Sequence, residues 1–251
     1  MARKQPIIGV CRMCQNTARL CESHILPKFL FKDTGLIGAK RKFNVKCINQ
    51  PEHSEFHKQD AFKEYLLCGN CEGRLSVWEG YAREQFFGPN NPFAHSNEMG
   101  FVWKGLDYLT MKLFTTSILW RMGISSHPFY YHVQLGKSHE ERLRKMLLAE
   151  DPKESWRYAC SIGFLYYGGK PLGGVFSQPQ RTKQNGRYLY RLMIAGMVWF
   201  FHVTSHAPPF KEYEGVLQLS GQWAVPTIEA LAIPFIKDEI DLFRKTEGTT
   251  T

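Results

Sequence analysis

Two Cys-x-x-Cys pairs constrain this chain more than any other feature. Six of its seven cysteines fall in the first 71 residues, at positions 11, 14, 21, 47, 68 and 71. Cys160 stands alone in the rest. Four of the six form Cys11-Arg-Met-Cys14 and Cys68-Gly-Asn-Cys71. A Cys-x-x-Cys segment curls into a knuckle that turns both thiolates to one side, and two knuckles supply the four soft ligands of a tetrahedral zinc site. The 53 residues between the pairs exceed the loop of a small zinc ribbon and need structure of their own. The alternatives are two unrelated pairs, or a redox pair; the latter wants a thioredoxin-like strand and helix around it, which neither pair has. Cys21 and Cys47 read as buried thiols, either of them a substitute ligand, and Cys160 reads as core.

The surroundings favour thiols or metal ligands over disulfides. The longest uncharged apolar run, Leu192 to Phe201, falls well short of the roughly 20 residues that span a bilayer. The apolar stretch near the N-terminus, Ile7 to Val10, is too short for a secretory core of about 7–15 residues. The expectation is a soluble cytoplasmic protein in a reducing compartment, with no membrane partner. Apolar residues at 43% and aromatics at 14% exclude global disorder. Lys plus Arg is 32 against 23 Asp plus Glu, a net charge of +9 that suits a polyanionic partner. The drop in cysteine density places a boundary near Gly88-Pro89-Asn90-Asn91-Pro92. The expected organisation is α+β throughout, with a zinc-binding module over 1–88 and a larger mixed α+β domain over 89–251.

The order of segments in the front module is informative. After the first knuckle comes Glu22-Ser23-His24-Ile25-Leu26-Pro27; Tyr65-Leu66-Leu67 leads into the second knuckle; Glu72-Gly73-Arg74-Leu75-Ser76-Val77-Trp78-Glu79 then reads as a helix. Over residues 9–87 this resembles the treble-clef, ββα-metal arrangement of zinc-containing HNH endonucleases. The resemblance implies that His24, in a His-apolar-x-Pro segment, polarises a water that attacks phosphorus. An imidazole suits that task because its unperturbed pKa lies near neutrality. It also implies a catalytic magnesium or manganese that stabilises charge on the phosphate. The family usually places an acidic or imidazole ligand just before this histidine, where this chain has Ser23. After the last knuckle cysteine the family usually has His or Asn; this chain has Glu72, a hard oxygen donor suited to such ions. The family's middle Asn has no counterpart in Phe62-Lys63-Glu64-Tyr65. Glu79 lies near the helical face of Glu72 and offers a second carboxylate. Against these roles stand plainer ones: Glu72 as a first-turn partner of the helix dipole, and His24 as a structural histidine. His53 and His57, four apart between the pairs, read as either a metal pair or loop residues. Lys28, Lys40, Arg41 and Lys42 are candidate phosphate contacts, which would give salt-sensitive binding without sequence preference.

In the rear domain, apolar spacing predicts a helix over Phe101–Gly123, with Arg121 complementing the dipole at its C-terminal end. The phrase from Lys112 to Arg121 resembles uncharacterised bacterial proteins with a cysteine-paired N-terminus, which implies no activity. Strands are expected over Phe129–Leu135, Tyr158–Tyr167, Gly174–Phe176 and Tyr188–Val203, the last broken near Gly196. A capping box at Ser138-x-x-Glu141 opens a further helix, and Asn185-Gly186 marks a hairpin turn. No P-loop, dinucleotide fingerprint or nucleophile elbow appears. Two functions follow: an HNH-like metal-dependent endonuclease acting on DNA, in the setting of restriction or phage defence, or a non-catalytic zinc-stabilised module that binds nucleic acid or protein. A protein partner or a second copy would engage the rear domain.

Overall fold

The computed structural model describes residues 5–32, 62–89, 100–172, 176–184, 187–204 and 215–238. The fold is mixed α+β. A short strand β1 (Ile8–Val10) pairs antiparallel with β2 (Thr17–His24), and β2 pairs antiparallel with β3 (Lys63–Cys68). A bulge between Cys21 and Glu22 shifts the β2–β3 register so that His24 ends opposite Lys63. A single turn, α1 (Phe29–Lys32), follows β2, and the long helix α2 (Gly69–Phe87) follows β3. Cys71, Leu75, Trp78, Ala82 and Phe86 form the buried stripe of α2 at spacings of three and four, the period of a helix packed on one side.

The second sheet runs in the order β4 (Gly100–Trp103), β10 (Trp223–Glu229), β5 (Cys160–Tyr167), β9 (Met197–His202), β8 (Arg187–Ile194), β7 (Gln180–Gln184). A two-residue strand, β6 (Lys170–Pro171), adds to β5. Pairing is antiparallel except between β10 and β5. The break expected near Gly196 is a two-residue turn at Ala195 and Gly196, with φ of 59° and 72°, which joins β8 to β9. Such left-handed pairs match the twist of adjoining strands. The strands flanking Asn185-Gly186 pair as a hairpin does, Gln184 opposite Arg187.

Helix α3 (Tyr108–Ile124) lies at the centre, and every residue from Met111 to Met122 is buried. A helix buried on all sides must satisfy its polar groups internally. Lys112 Nζ donates to the carbonyls of Ser155 (3.1 Å) and Tyr158 (3.2 Å), and Ser117 Oγ donates to Phe114 O. Asp107 caps the helix by accepting from Thr110 N at 2.7 Å. Aromatic rings tie α1 and α2 to the second sheet through α3: Phe114 lies 5.9 Å from Phe29, 6.2 Å from Phe86 and 6.5 Å from Trp199. One buried apolar cluster therefore runs from Cys11 to Val225.

Four expectations are corrected. Residues 100–103 are strand rather than helix, because they pair with β10 in the register Trp103 to Trp223. Residues 129–135 hold no strand: Pro128–Tyr130 is a 3-10 turn opened by Pro128, with His127 Nδ1 accepting from Phe129 N at 3.1 Å. Consecutive Phe129 and Tyr130 are both buried, one stacked on Phe62 at 4.4 Å and the other edge-on to it at 5.7 Å. A strand would send them to opposite faces. The helix α4 (Lys137–Ala149) has its N-cap two residues before Ser138, at Gly136, without a side-chain cap, and Glu141 pairs with Arg144 instead. Of the strand expected over Gly174–Phe176, only Phe176 lies among the described residues; it is not in a strand, and its ring stacks on Phe129 at 5.0 Å.

Candidate metal centre and the adjoining carboxylate cluster

The first knuckle sits between β1 and β2. Cys11 N donates to Asn16 O and Gln15 N to Cys11 O, both at 2.9 Å, and Gln15 takes a left-handed φ of 63° to close the turn. Arg12 N donates to Leu66 O at 2.9 Å and fastens the knuckle to β3. The second pair is placed differently: Cys68 ends β3 and Cys71 sits in the first turn of α2. The four sulfurs, Cys11, Cys14, Cys68 and Cys71, lie within 4.8 Å of one another. Cys14 Sγ and Cys68 Sγ are 3.8 Å apart. Zinc–sulfur bonds of about 2.3 Å in a tetrahedron place sulfurs about 3.8 Å apart, so the set fits a zinc ion. The sulfurs also compete for charge. Burial raises the Cys11 thiol, but N–H groups of Cys14, Cys68 and Met13 outweigh it and bring its pKa down to about 7. Burial and the neighbouring thiols push Cys71 up. A divalent cation would let all four ionise together. Cys21, part-buried, stands outside this group, and Cys160 is buried in β5. Among the described residues, this tetrad is the group suited to holding a metal ion.

Beyond the tetrad, the end of β2 meets α2 and the last turn of α3. His24, Glu72 and Glu79 are drawn to one region, and a residue the sequence assigned only to the helix dipole organises it. The side chain of Arg121 is 2% exposed. Its Nη1 lies 2.7 Å from Glu79 Oε1 and donates to His24 O, also at 2.7 Å. Its Nε and Nη2 donate to Ser117 O and Ser117 Oγ at 3.3 Å. Glu79 is thus already neutralised by a cation of the chain itself. Glu72 is not paired in this way. Burial pushes its carboxyl up; Ser23 and the charge of Arg121 oppose the shift, and Glu79 adds to it. Ser23 is fully buried near Glu72, and among the described residues Ser23 Oγ and Glu72 Oε1 have no hydrogen-bond partner. His24 is half-buried, and Nε2 belongs to its covered part, so the exposed portion of the residue lies elsewhere.

A third carboxylate, Glu64, escaped the sequence reading. Glu64, in the stretch lacking the family's Asn, accepts from the hydroxyls of Ser125 and Ser126 and from the N–H groups of Ser126 (3.0 Å) and His127 (3.3 Å). These bonds outweigh burial and hold its carboxyl below the usual range. It anchors β3 to the segment leaving α3. Its local sequence carries no signal, since its partners are a serine pair 61 and 62 residues further along the chain. Lys28 is exposed between His24 and α1. Lys40, Arg41 and Lys42 lie outside the described residues, as do Cys47, His53 and His57. No described helix is long and apolar enough to cross a membrane. Comparison of the chain with protein-family models, curated proteins and solved structures finds no match.

Proposed function

We propose that the front of the chain is a treble-clef, HNH-like module built on a structural zinc, and that the protein is a metal-dependent endonuclease acting on DNA. The observation that carries this reading is a pair of buried oxygens without a hydrogen-bond partner among the described residues: Ser23 Oγ, in the residue before His24, and Glu72 Oε1, in the first turn of α2. Leaving such a group unpaired costs about 1–3 kcal/mol, so buried oxygens without partners ask for an occupant. They are hard donors of the kind magnesium and manganese prefer. In the HNH resemblance both are sequence counterparts of metal-ligand positions. In this reading His24 takes a proton from a water whose oxygen attacks phosphorus, and the bridging oxygen departs with the bonding electron pair. A divalent ion, when bound, supplies Lewis-acid stabilisation of the phosphate charge. The test is nicking of supercoiled plasmid in magnesium or manganese. His24→Ala and Glu72→Ala should each lower the rate at least about 100-fold, while retained zinc confirms folding. Intact plasmid at high protein concentration with every metal tried would refute the hydrolase.

A second reading rests on Arg121. Its guanidinium pairs with Glu79 and grips the backbone of His24, giving the cluster a built-in cation without any ion. A zinc-stabilised module that binds nucleic acid or protein without cutting needs nothing more. Salt-sensitive DNA binding, unchanged by His24→Ala and with no calorimetric signal for magnesium, would favour it.

A further inference from the structure

From residue 155 to 211 the chain contains no Asp or Glu and seven Lys or Arg. The middle of this run folds into the β7–β8 hairpin at one edge of the large sheet. Cross-strand pairing sets Arg181 opposite Tyr190 and Lys183 opposite Tyr188, so these four residues share a face. Arg181 and Lys183 are exposed, and Tyr188 is 48% exposed. The guanidinium of Arg181 lies 4.8 Å, and the ammonium of Lys183 5.8 Å, from the centre of the Tyr188 ring. A second exposed aromatic lies in the segment that packs on the hairpin through Gln134. Tyr131, 52% exposed, rests on His132 with ring centres 3.9 Å apart, and the charge of Arg181 reaches His132. Tyr190 OH donates to Gln134 O at 2.8 Å and fixes the hairpin against that segment.

We propose that this face of the hairpin, Arg181, Lys183 and Tyr188 with Tyr131 of the segment packed on it, binds single-stranded nucleic acid. Two features single out that ligand. A hairpin whose own strands carry cations and no carboxylate favours phosphates, and exposed rings framed by cations give bases a platform to stack on. An acidic peptide would use the cations but leave the rings idle. The face also connects to the region of His24. Glu64 on β3, next to the Lys63 that faces His24, holds Ser125 to His127, a few residues before Tyr131. The proposal takes from the nuclease reading only that the ligand is a nucleic acid; binding here does not require cleavage.

The experiment is fluorescence anisotropy of the full zinc-loaded chain with a dye-labelled oligo-dT of about 20 nucleotides, without added magnesium or manganese, over a range of salt. The double variant Arg181→Ala/Lys183→Ala should weaken binding about tenfold or more. Removing two phosphate contacts should also flatten the log–log salt slope by about 1.4. Tyr188→Ala should weaken binding at least fivefold at every salt concentration, and Tyr188→Phe should restore most of it. Lys145→Ala, on the exposed side of α4, serves as a control for the loss of a cation elsewhere on the surface and should bind like the wild type. Equal binding by the wild type and the hairpin variants, no binding at low salt, or equal competition by polyglutamate and oligo-dT would each overturn the proposal. His24→Ala separates the two ideas: loss of cleavage with intact binding leaves this surface standing, whereas binding lost only in the hairpin variants leaves His24 chemistry to be judged by its own assay.

Discussion

Replacing Arg121 by Met gives the sharpest test of how the carboxylate cluster is held. The substitution keeps an unbranched side chain in α3 but removes four donated bonds: to Glu79 Oε1 and His24 O at 2.7 Å, and to Ser117 O and Oγ at 3.3 Å. Breaking a buried ion pair from one side costs about 3–5 kcal/mol, because the abandoned charge stays behind. Glu79 keeps 23% of its side chain exposed, so water recovers part of its solvation and the lower end, about 3 kcal/mol, is expected. In urea, with an m-value of about 2–3 kcal/mol/M, the midpoint should fall by about 1–1.5 M. Far-UV circular dichroism and the emission of buried tryptophans such as Trp120, on the same helix, both report the transition. The double variant Arg121→Met/Glu79→Gln should regain at least about 1 kcal/mol, since no bare carboxylate then remains. A loss below about 1 kcal/mol for Arg121→Met, or a double variant additive within about 0.5 kcal/mol, would refute the ion pair as the organising contact.

Three further outcomes are expected. Elemental analysis should find about one zinc per chain; Cys68→Ser should lose it and Cys21→Ser should keep it, and zinc retained by Cys68→Ser would break the ligand assignment. Burial brings the Lys112 pKa from its ordinary 10.5 down to about 7. Between those values the unfolded chain carries the extra proton, so stability should rise with pH, by up to about 1.4 kcal/mol per unit. Urea midpoints at about pH 7.5 and about pH 9 should show that rise in the wild type and a smaller one in Lys112→Met; equal rises would exclude Lys112 as the cause. Gly221 has φ +74°, and a Cβ added there would lie 2.2 Å from Leu106 O. Gly221→Ala should therefore cost about 2 kcal/mol and lower Tm by about 4–8 °C in a thermal melt. An unchanged Tm would contradict that close approach.

The metal centre was legible because ligand type and spacing are local properties: Cys11, Cys14, Cys68 and Cys71 announce themselves wherever the chain goes. The β8–β9 turn was equally local, with Gly196 supplying its backbone demand. What stayed hidden depends on distant partners. Phe101 and Trp103 fit a helical period as well as a strand, and pairing with β10, more than a hundred residues later, decides between them. Pro128–Tyr130 has the composition of a strand and bends because Phe62 and Phe176 take its rings. Arg121 looked like an ordinary last-turn cation; its bond to His24 O crosses 97 residues of sequence, and no local pattern carries that information.

The stacking of Phe29 and Phe86 onto Phe114, with Trp199 beyond, has a practical corollary. A fragment ending after Phe87 would strip these rings of their cover and leave a sticky, water-exposed flank. Anyone wishing to transplant the cysteine knuckles and their histidine into another protein should bring α3 along, since the graft would otherwise lack both its lid of hydrocarbon and the guanidinium that steadies it.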